Sequence, residues 1–307
     1  MVARQLRWLL IGELLGYLAL VAGLVSRAGW TPVEAGGLAL AWFLGARLLF
    51  VALTFGFMLV GSDPVPQELR IGPVRALRMV LEEYLGLVLL FSFILPFEKF
   101  WMGPDRLPQS AGARPPLLLI HGYQCNRGFW FWLRPRLEAA GWTVATVSLE
   151  PAWTEIDDYV PAIARRVDEV LAATGAAQVI LVGHSMGGLT LRAYLRRHGS
   201  DKVARVITLG SPHHGTRLAP LGLGANARQI RIGSPWLAAL AAPGAAPIPP
   251  GSVSIYSCHD NYVVPQCAGA TLEGATTIAV GGVAHVAMAF SPLMLDSLLA
   301  ALAQPSP

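Results

Sequence analysis

The 307 residues include 54% hydrophobic but only 14% charged side chains, against about 25% charged in an average soluble domain. This excludes a wholly water-exposed globule and points to membrane segments, concentrated in the first hundred residues. The net charge of +4 is almost all arginine and comes without a basic run, aromatic–basic interleaving or a helix-turn-helix pattern, which excludes a nucleic-acid partner. Cys125, Cys258 and Cys267 show no C-x-x-C spacing, so no metal site is expected.

Residues 6–25 (LRWLLIGELLGYLALVAGLV) form an apolar stretch of bilayer-spanning length, too long for an ordinary signal peptide and followed by a second span. The second runs over about 35–61 and the third over about 79–97. Glu82 and Glu83 shorten the apolar part of the third to about 14 residues, so it either spans or lies in the interface. Arg4 and Arg7 precede the first stretch, and Arg70, Arg75 and Arg78 lie between the second and third. The positive-inside rule puts both segments in the cytoplasm. Three spans then place the rest of the chain outside, in the periplasm or beyond the cell, which is the expected arrangement; two spans leave it cytoplasmic. Glu13 and Arg47 fall at similar depths of an antiparallel hairpin and are expected to pair, locking two anchor helices. The Pro-, Gly- and Ser-rich segment 102–116 is expected to be an exposed linker between anchoring helices (1–101) and a catalytic domain (117–307).

From residue 117 the pattern changes. Continuous apolar runs at 117–122, 143–149, 178–184, 205–211, 253–258 and 276–282 suit strands buried on both faces. They alternate with helical stretches at about 128–140, 156–174, 186–198 and 286–303. This alternation predicts an α/β fold with a mostly parallel, doubly wound sheet, whose site lies at the carboxyl ends of the strands.

One of those ends runs into Gly183-His184-Ser185-Met186-Gly187, a G-x-S-x-G between a predicted strand and a predicted helix. Such a turn holds the serine in a strained conformation with its hydroxyl exposed, and the glycines supply the room it needs. Ser185 is therefore the candidate nucleophile. The N–H groups of Met186 and of Tyr123, after the first strand, are the candidate oxyanion donors. His121 precedes the serine and is expected to organise its loop. In the chain order of this fold an acid and then a histidine follow the serine. His285, after the last predicted strand, fits the base; Asp260, after the strand before, fits the acid better than Asp201 or Glu273.

The pieces IHGY, VGHSMGG, LGSPHHGT, SIYSCHDNYVVP and VAHVAM, in that order over residues 115–303, resemble bacterial lipases and esterases of the α/β-hydrolase superfamily. The resemblance implies hydrolysis of carboxylic esters, acyl lipids among them, through an acyl-serine on Ser185, with Asp260 and His285 completing a triad and no cofactor. It implies a bacterial inner (cytoplasmic) membrane protein whose partners are an ester or lipid substrate and the bilayer. The chain departs from secreted lipases in its N-terminal third. It also lacks the first strands of the full fold, which points to the small six-stranded form preceded by two or three transmembrane helices. A lipid acyltransferase on the same fold and a catalytically silent membrane interaction protein remain as alternatives.

Residues 213–252 are too long for a plain connection. They are expected either to cap the site or to pack on the domain surface. His214, Trp236 and Leu237 are candidate substrate contacts in the first case, with Leu240 beside them; His213 and His214 brace their loop in the second. Cys258 and Cys267 bracket Asp260, and a disulfide between them would staple the acid loop in an oxidising compartment; otherwise all three thiols are reduced.

Overall fold

The computed structural model describes residues 1–109, 114–242, 245 and 248–304. Apolar composition drives two long helices first: α1 (Val2–Ala28), ended by Gly29 in the left-handed region, and α2 (Pro32–Gly61), started by a capping box between Thr31 and Glu34. They run antiparallel, and Arg47 reaches Glu13 through two hydrogen bonds of 2.7 and 2.9 Å. The Arg47 guanidinium lies 3.6 Å from the Phe43 ring centre, and the Tyr17 hydroxyl donates to Glu13. The two charges within the apolar helices thus neutralise one another, as their spacing suggests.

Helix α3 (Pro73–Leu89) continues through a π turn at Leu90–Ile94 and a 3-10 turn at Leu95–Phe97 to a last helical turn at Glu98–Trp101. All three helices are long and apolar enough to cross a membrane by length and composition. α3 nevertheless differs from the other two: it packs along the C-terminal domain for its whole length. Near its start Arg75 donates to Gly281 O (3.1 Å), in its middle Glu83 accepts from Ala287 N (2.8 Å), and past its π turn Leu95 O accepts from Asn126 (2.8 Å). Met79, Leu87, Leu90, Ile94 and Leu95 are buried in one core with Leu117, Phe129 and Val286. Its other side carries Leu77, Leu81, Leu85, Leu89 and Phe93, all exposed and four residues apart.

Six parallel strands form one sheet in the order β2-β1-β3-β4-β5-β6. They are β1 (Leu117–Ile120), β2 (Val144–Val147), β3 (Val179–His184), β4 (Val203–Leu209), β5 (Val253–Ser257) and β6 (Thr276–Val280). Every one falls within two residues of an expected run. Side chains alternate between two cores. Leu117, Leu119, Ile180 and Val182 face α4 (Leu133–Ala139), α8 (Pro292–Ala303) and the N-terminal helices; Leu118, Ile120, Val179 and Leu181 face α5 (Val160–Thr174) and α6 (Met186–His198). α5 fits its groove because Val160, Ile163, Val167 and Val170 recur at helical spacing, all fully buried.

The segment from 102 to 109, expected to be an exposed linker, is exposed at residues 103, 104, 106, 108 and 109 but is pinned at Asp105. Asp105 is tied to Thr146 N (2.7 Å), Arg134 (3.0 Å) and Arg166 (2.6 Å), which fixes it on the β2 edge. Two arginines meeting one carboxylate hold a segment whose Pro and Gly content signals a loose connection. Residues 110–113 of the expected linker lie outside the described residues.

Candidate active site

Ser185 sits between β3 and α6 with φ 54° and ψ −127°, a strained conformation that a sharp strand-to-helix turn demands. Its own N–H donates to Leu209 O (2.9 Å), anchoring the turn to β4. Glycine is required on both sides: a Cβ on Gly183 would lie 2.7 Å from Gly188 N, and one on Gly187 would collide with Ile120 O. A Cβ on Gly188 would collide with Ser211, so this glycine lets α6 approach β4.

The structure brings the three side chains expected to form a triad together. His285 Nε2 is 2.9 Å from Ser185 Oγ, and His285 Nδ1 is 2.8 Å from Asp260 Oδ2. The carboxylate is fixed in turn, because Oδ1 accepts from Tyr262 N (2.7 Å) and Val263 N (2.8 Å). Asp260 is buried, which concentrates its charge on the imidazole. Burial opposes a charged His285, yet the Asp260 charge and hydrogen bond outweigh it, with the Glu83 carboxyl adding to them, and hold the imidazole pKa above its ordinary value. An imidazole so placed is a base for Ser185 and a stabilised cation once it has taken the proton.

Met186 is the first residue of α6, so its N–H has no acceptor within the helix and points to the helix's electropositive end. The loop carrying Tyr123 lies close by: a Cβ on Gly122 would come within 2.8 Å of Ser185 Cβ. The Tyr123 hydroxyl accepts from Leu223 N (2.8 Å) and donates to Leu223 O (2.7 Å), tying this loop to the 218–223 segment. His121 organises the loop: Nδ1 donates to Gly122 O (2.9 Å) and Nε2 accepts from Leu149 N (2.9 Å), while burial pushes its pKa down to about 4.

Trp236 and Leu237 do not face Ser185. The Trp236 indole donates to Asp157 and sits beside Arg196, eleven residues along α6 from the serine, or about 16 Å at 1.5 Å per residue. Leu237 and Leu240, on α7 (Pro235–Leu240), are buried in the core beneath α5 and α6. The apolar face of this short helix is consumed by the domain, so no cap over the site is built on those residues. His214 is exposed and its N–H donates to Gly269 O (3.1 Å), whereas buried His213 braces the loop through Thr208 (3.0 Å) and Arg192 (2.9 Å). Of the two alternatives for the cysteines, the structure has the reduced one: Cys125, Cys258 and Cys267 are free thiols. Asp260's two backbone hydrogen bonds hold the acid loop without a disulfide.

Several residues at the site were not singled out as functional by the sequence. Tyr262 stacks on His285 at 4.8 Å between ring centres, and the His184 ring lies 4.7 Å from the same imidazole and stacks on Phe129. Burial and the neighbouring His285 hold the His184 pKa well below its usual value. Asn261 Oδ1 accepts from His285 N (3.0 Å). The position of Asn261 next to Asp260 was the only available hint. Trp153, Leu221 and Leu223 leave an exposed apolar rim by Tyr123, with Gly224 pressed against Trp153.

Residues 115–242 match the family model described as the alpha/beta hydrolase fold. A triacylglycerol lipase of Pseudarthrobacter phenanthrenivorans is 35% identical over 119 residues, which is 36% of this chain and 36% of that protein. A triacylglycerol lipase of Burkholderia plantarii is 35% identical over 119 residues, 36% of this chain and 32% of its own length. The chain therefore spans about a third of the length of these curated relatives. Among solved structures, a Bacillus licheniformis lipase in its mature form superposes with a TM-score of 0.57 at 21% identity, covering 64% of this chain and 96% of that one. Aspergillus fumigatus lipase B gives 0.57 at 20%, covering 66% and 56%. These likenesses establish an α/β-hydrolase fold for the C-terminal two-thirds.

Proposed function

We propose that this chain, whose C-terminal two-thirds has the α/β-hydrolase fold, is a membrane-anchored serine hydrolase of carboxylic esters, acting on lipids of the bilayer that holds it. The observation that carries the proposal is the unbroken hydrogen-bond line from Ser185 through His285 to Asp260. His285 takes the Ser185 proton as the hydroxyl oxygen attacks the ester carbonyl. The N–H groups of Met186 and Tyr123 stabilise the oxyanion, and the alcohol leaves with the proton from His285. Water, activated by the same imidazole, then attacks the acyl-serine and releases the acid. None of these steps calls for a cofactor.

A panel of p-nitrophenyl esters of rising chain length, assayed across pH on the detergent-solubilised chain, tests this. The neutral imidazole is the working base, so the rate should climb as pH rises through a pKa above the ordinary histidine value of about 6.5 and then level off. The direction follows from the raised His285 pKa. No hydrolysis of any ester, or a rate that falls over this range, contradicts the proposal.

The lipid substrate is favoured by where the site lies. α3 runs along the carboxyl edge of the sheet with an apolar side exposed, and Trp153, Leu221 and Leu223 extend that surface by Tyr123. The same packing favours two membrane crossings over three. Val2 N donates to Glu150 (3.0 Å), Arg7 to Pro96 O (2.7 Å), and Gln266 to Ser62 (3.0 Å), so the start of α1, the end of α2 and both ends of α3 all meet the catalytic domain. A crossing α3 would carry its two ends to opposite faces of the bilayer. α1 and α2 then form the anchor, α3 lies in the interface, and the domain sits on the arginine-rich, cytoplasmic side. The periplasmic placement expected from the sequence rested on a third crossing. A membrane-impermeant maleimide applied to intact bacterial cells should label Trp30→Cys, at the far end of the hairpin, but reach exposed Cys267 only after permeabilisation. Labelling of Cys267 from outside would restore the three-span arrangement.

A further inference from the structure

We infer that Glu83 and Thr54, from two different apolar N-terminal helices, are positioning residues for His285, so that the anchor forms part of the active site. Glu83 is fully buried, in a stretch where an unsatisfied carboxyl is costly. Its Oε2 accepts from Ala287 N at 2.8 Å, two residues past the base, and its carboxyl lies near Val286 N and the Asn261 side chain, with Oε1 making no hydrogen bond among the described residues. Asn261 makes the second link. Its Oδ1 accepts from His285 N at 3.0 Å and its Nδ2 donates to Thr54 Oγ1 at 2.8 Å, while Thr54 donates to Val51 O within α2.

The backbone of His285 is therefore held before its ring by Asn261, itself braced from α2, and just after it by Glu83 from α3. α3 lies against the same turn: a Cβ on Gly86, one turn along α3, would be in ordinary contact with Ala287 Cα at 3.7 Å. These contacts go to the loop that aims the imidazole, and none of them touches a reacting atom. Glu83 acts on the reaction through where it keeps His285.

The inference rests on the serine-hydrolase reading for its kinetic arm and has a second readout that does not. The full chain in detergent is compared with Glu83→Ala, Glu83→Gln and Thr54→Val. Glu83→Ala leaves a buried N–H unpaired and should lower kcat about 10- to 100-fold with KM within about 3-fold. Glu83→Gln retains an acceptor oxygen and should recover kcat to within about 5-fold of the parent, which a contact serving only to join helices to the domain would not require. Thr54→Val, nearly isosteric, should lower kcat about 3- to 10-fold. Amide hydrogen exchange over residues 284–288 should quicken about 10-fold or more in Glu83→Ala and stay slow in Glu83→Gln.

An inactive parent overturns the hydrolase reading, and the exchange arm then decides this inference alone. Parent-like kcat and parent-like exchange in Glu83→Ala overturn it. Should Glu83→Ala fail to fold, parent-like kcat and exchange in Thr54→Val overturn it instead.

Discussion

Ser185→Ala is expected to lower ester turnover by roughly five to six orders of magnitude, because removing the nucleophile disables the whole unit and leaves only substrate binding and the oxyanion donors. The fold should survive. The Ser185 backbone is held by Leu209 O and by the close fit of Gly183, Gly187 and Gly188, and none of these involves the hydroxyl. Alanine is as strained as serine at φ 54°, so it relieves nothing there. Circular dichroism should show parent-like secondary structure and a melting temperature within a few degrees. Retained turnover would mean that another group does the chemistry.

Asp260→Asn should cost about 10⁴-fold in kcat, the loss expected when the imidazole is held in the wrong tautomer. Asp260 Oδ1 already accepts from Tyr262 N and Val263 N, and an asparagine oxygen can take over both bonds. Its NH2 group then faces His285 Nδ1, 2.8 Å away in the parent. Nδ1 must become an acceptor, the ring proton moves to Nε2, and Nε2 now points a donor at the Ser185 hydroxyl, 2.9 Å away. The base is blocked although every heavy atom keeps its place. The opposite amide rotamer would set NH2 against two backbone N–H donors, which is worse. Steady-state kinetics on a soluble ester measure the effect, and a loss of less than tenfold would show that Asp260 does not govern the tautomer.

The catalytic domain was legible in the sequence because its signals are local. Continuous apolar runs marked all six strands, since each strand of a parallel sheet is buried on both faces. The G-x-S-x-G turn marked Ser185, and chain order then left one well-placed acid and one well-placed histidine. What was illegible depends on contacts between distant parts of the chain. Glu83 looked like a charge that shortens an apolar span, and only the packing of α3 on residues 286 and 287, some two hundred positions later, gives it a partner. Asp105 sat among Pro and Gly that signal a loose linker, yet Arg134 and Arg166 converge on it. Trp236 and Leu237 had the apolar character of a lipid-facing cap. That character also suits packing on α6, and no residue pattern separates the two. The number of membrane crossings is not fixed by hydropathy for the same reason: α3 is apolar, and both lipid and a protein core satisfy that.

The most direct test of the central claim is to expose the intact, detergent-solubilised chain to a fluorophosphonate probe and map the adduct by peptide mass spectrometry. The account predicts one covalent adduct, on Ser185, formed because His285 and Asp260 raise the nucleophilicity of that hydroxyl above every other serine in the chain. An unmodified Ser185 in a folded sample, or an adduct on a different residue, would contradict it.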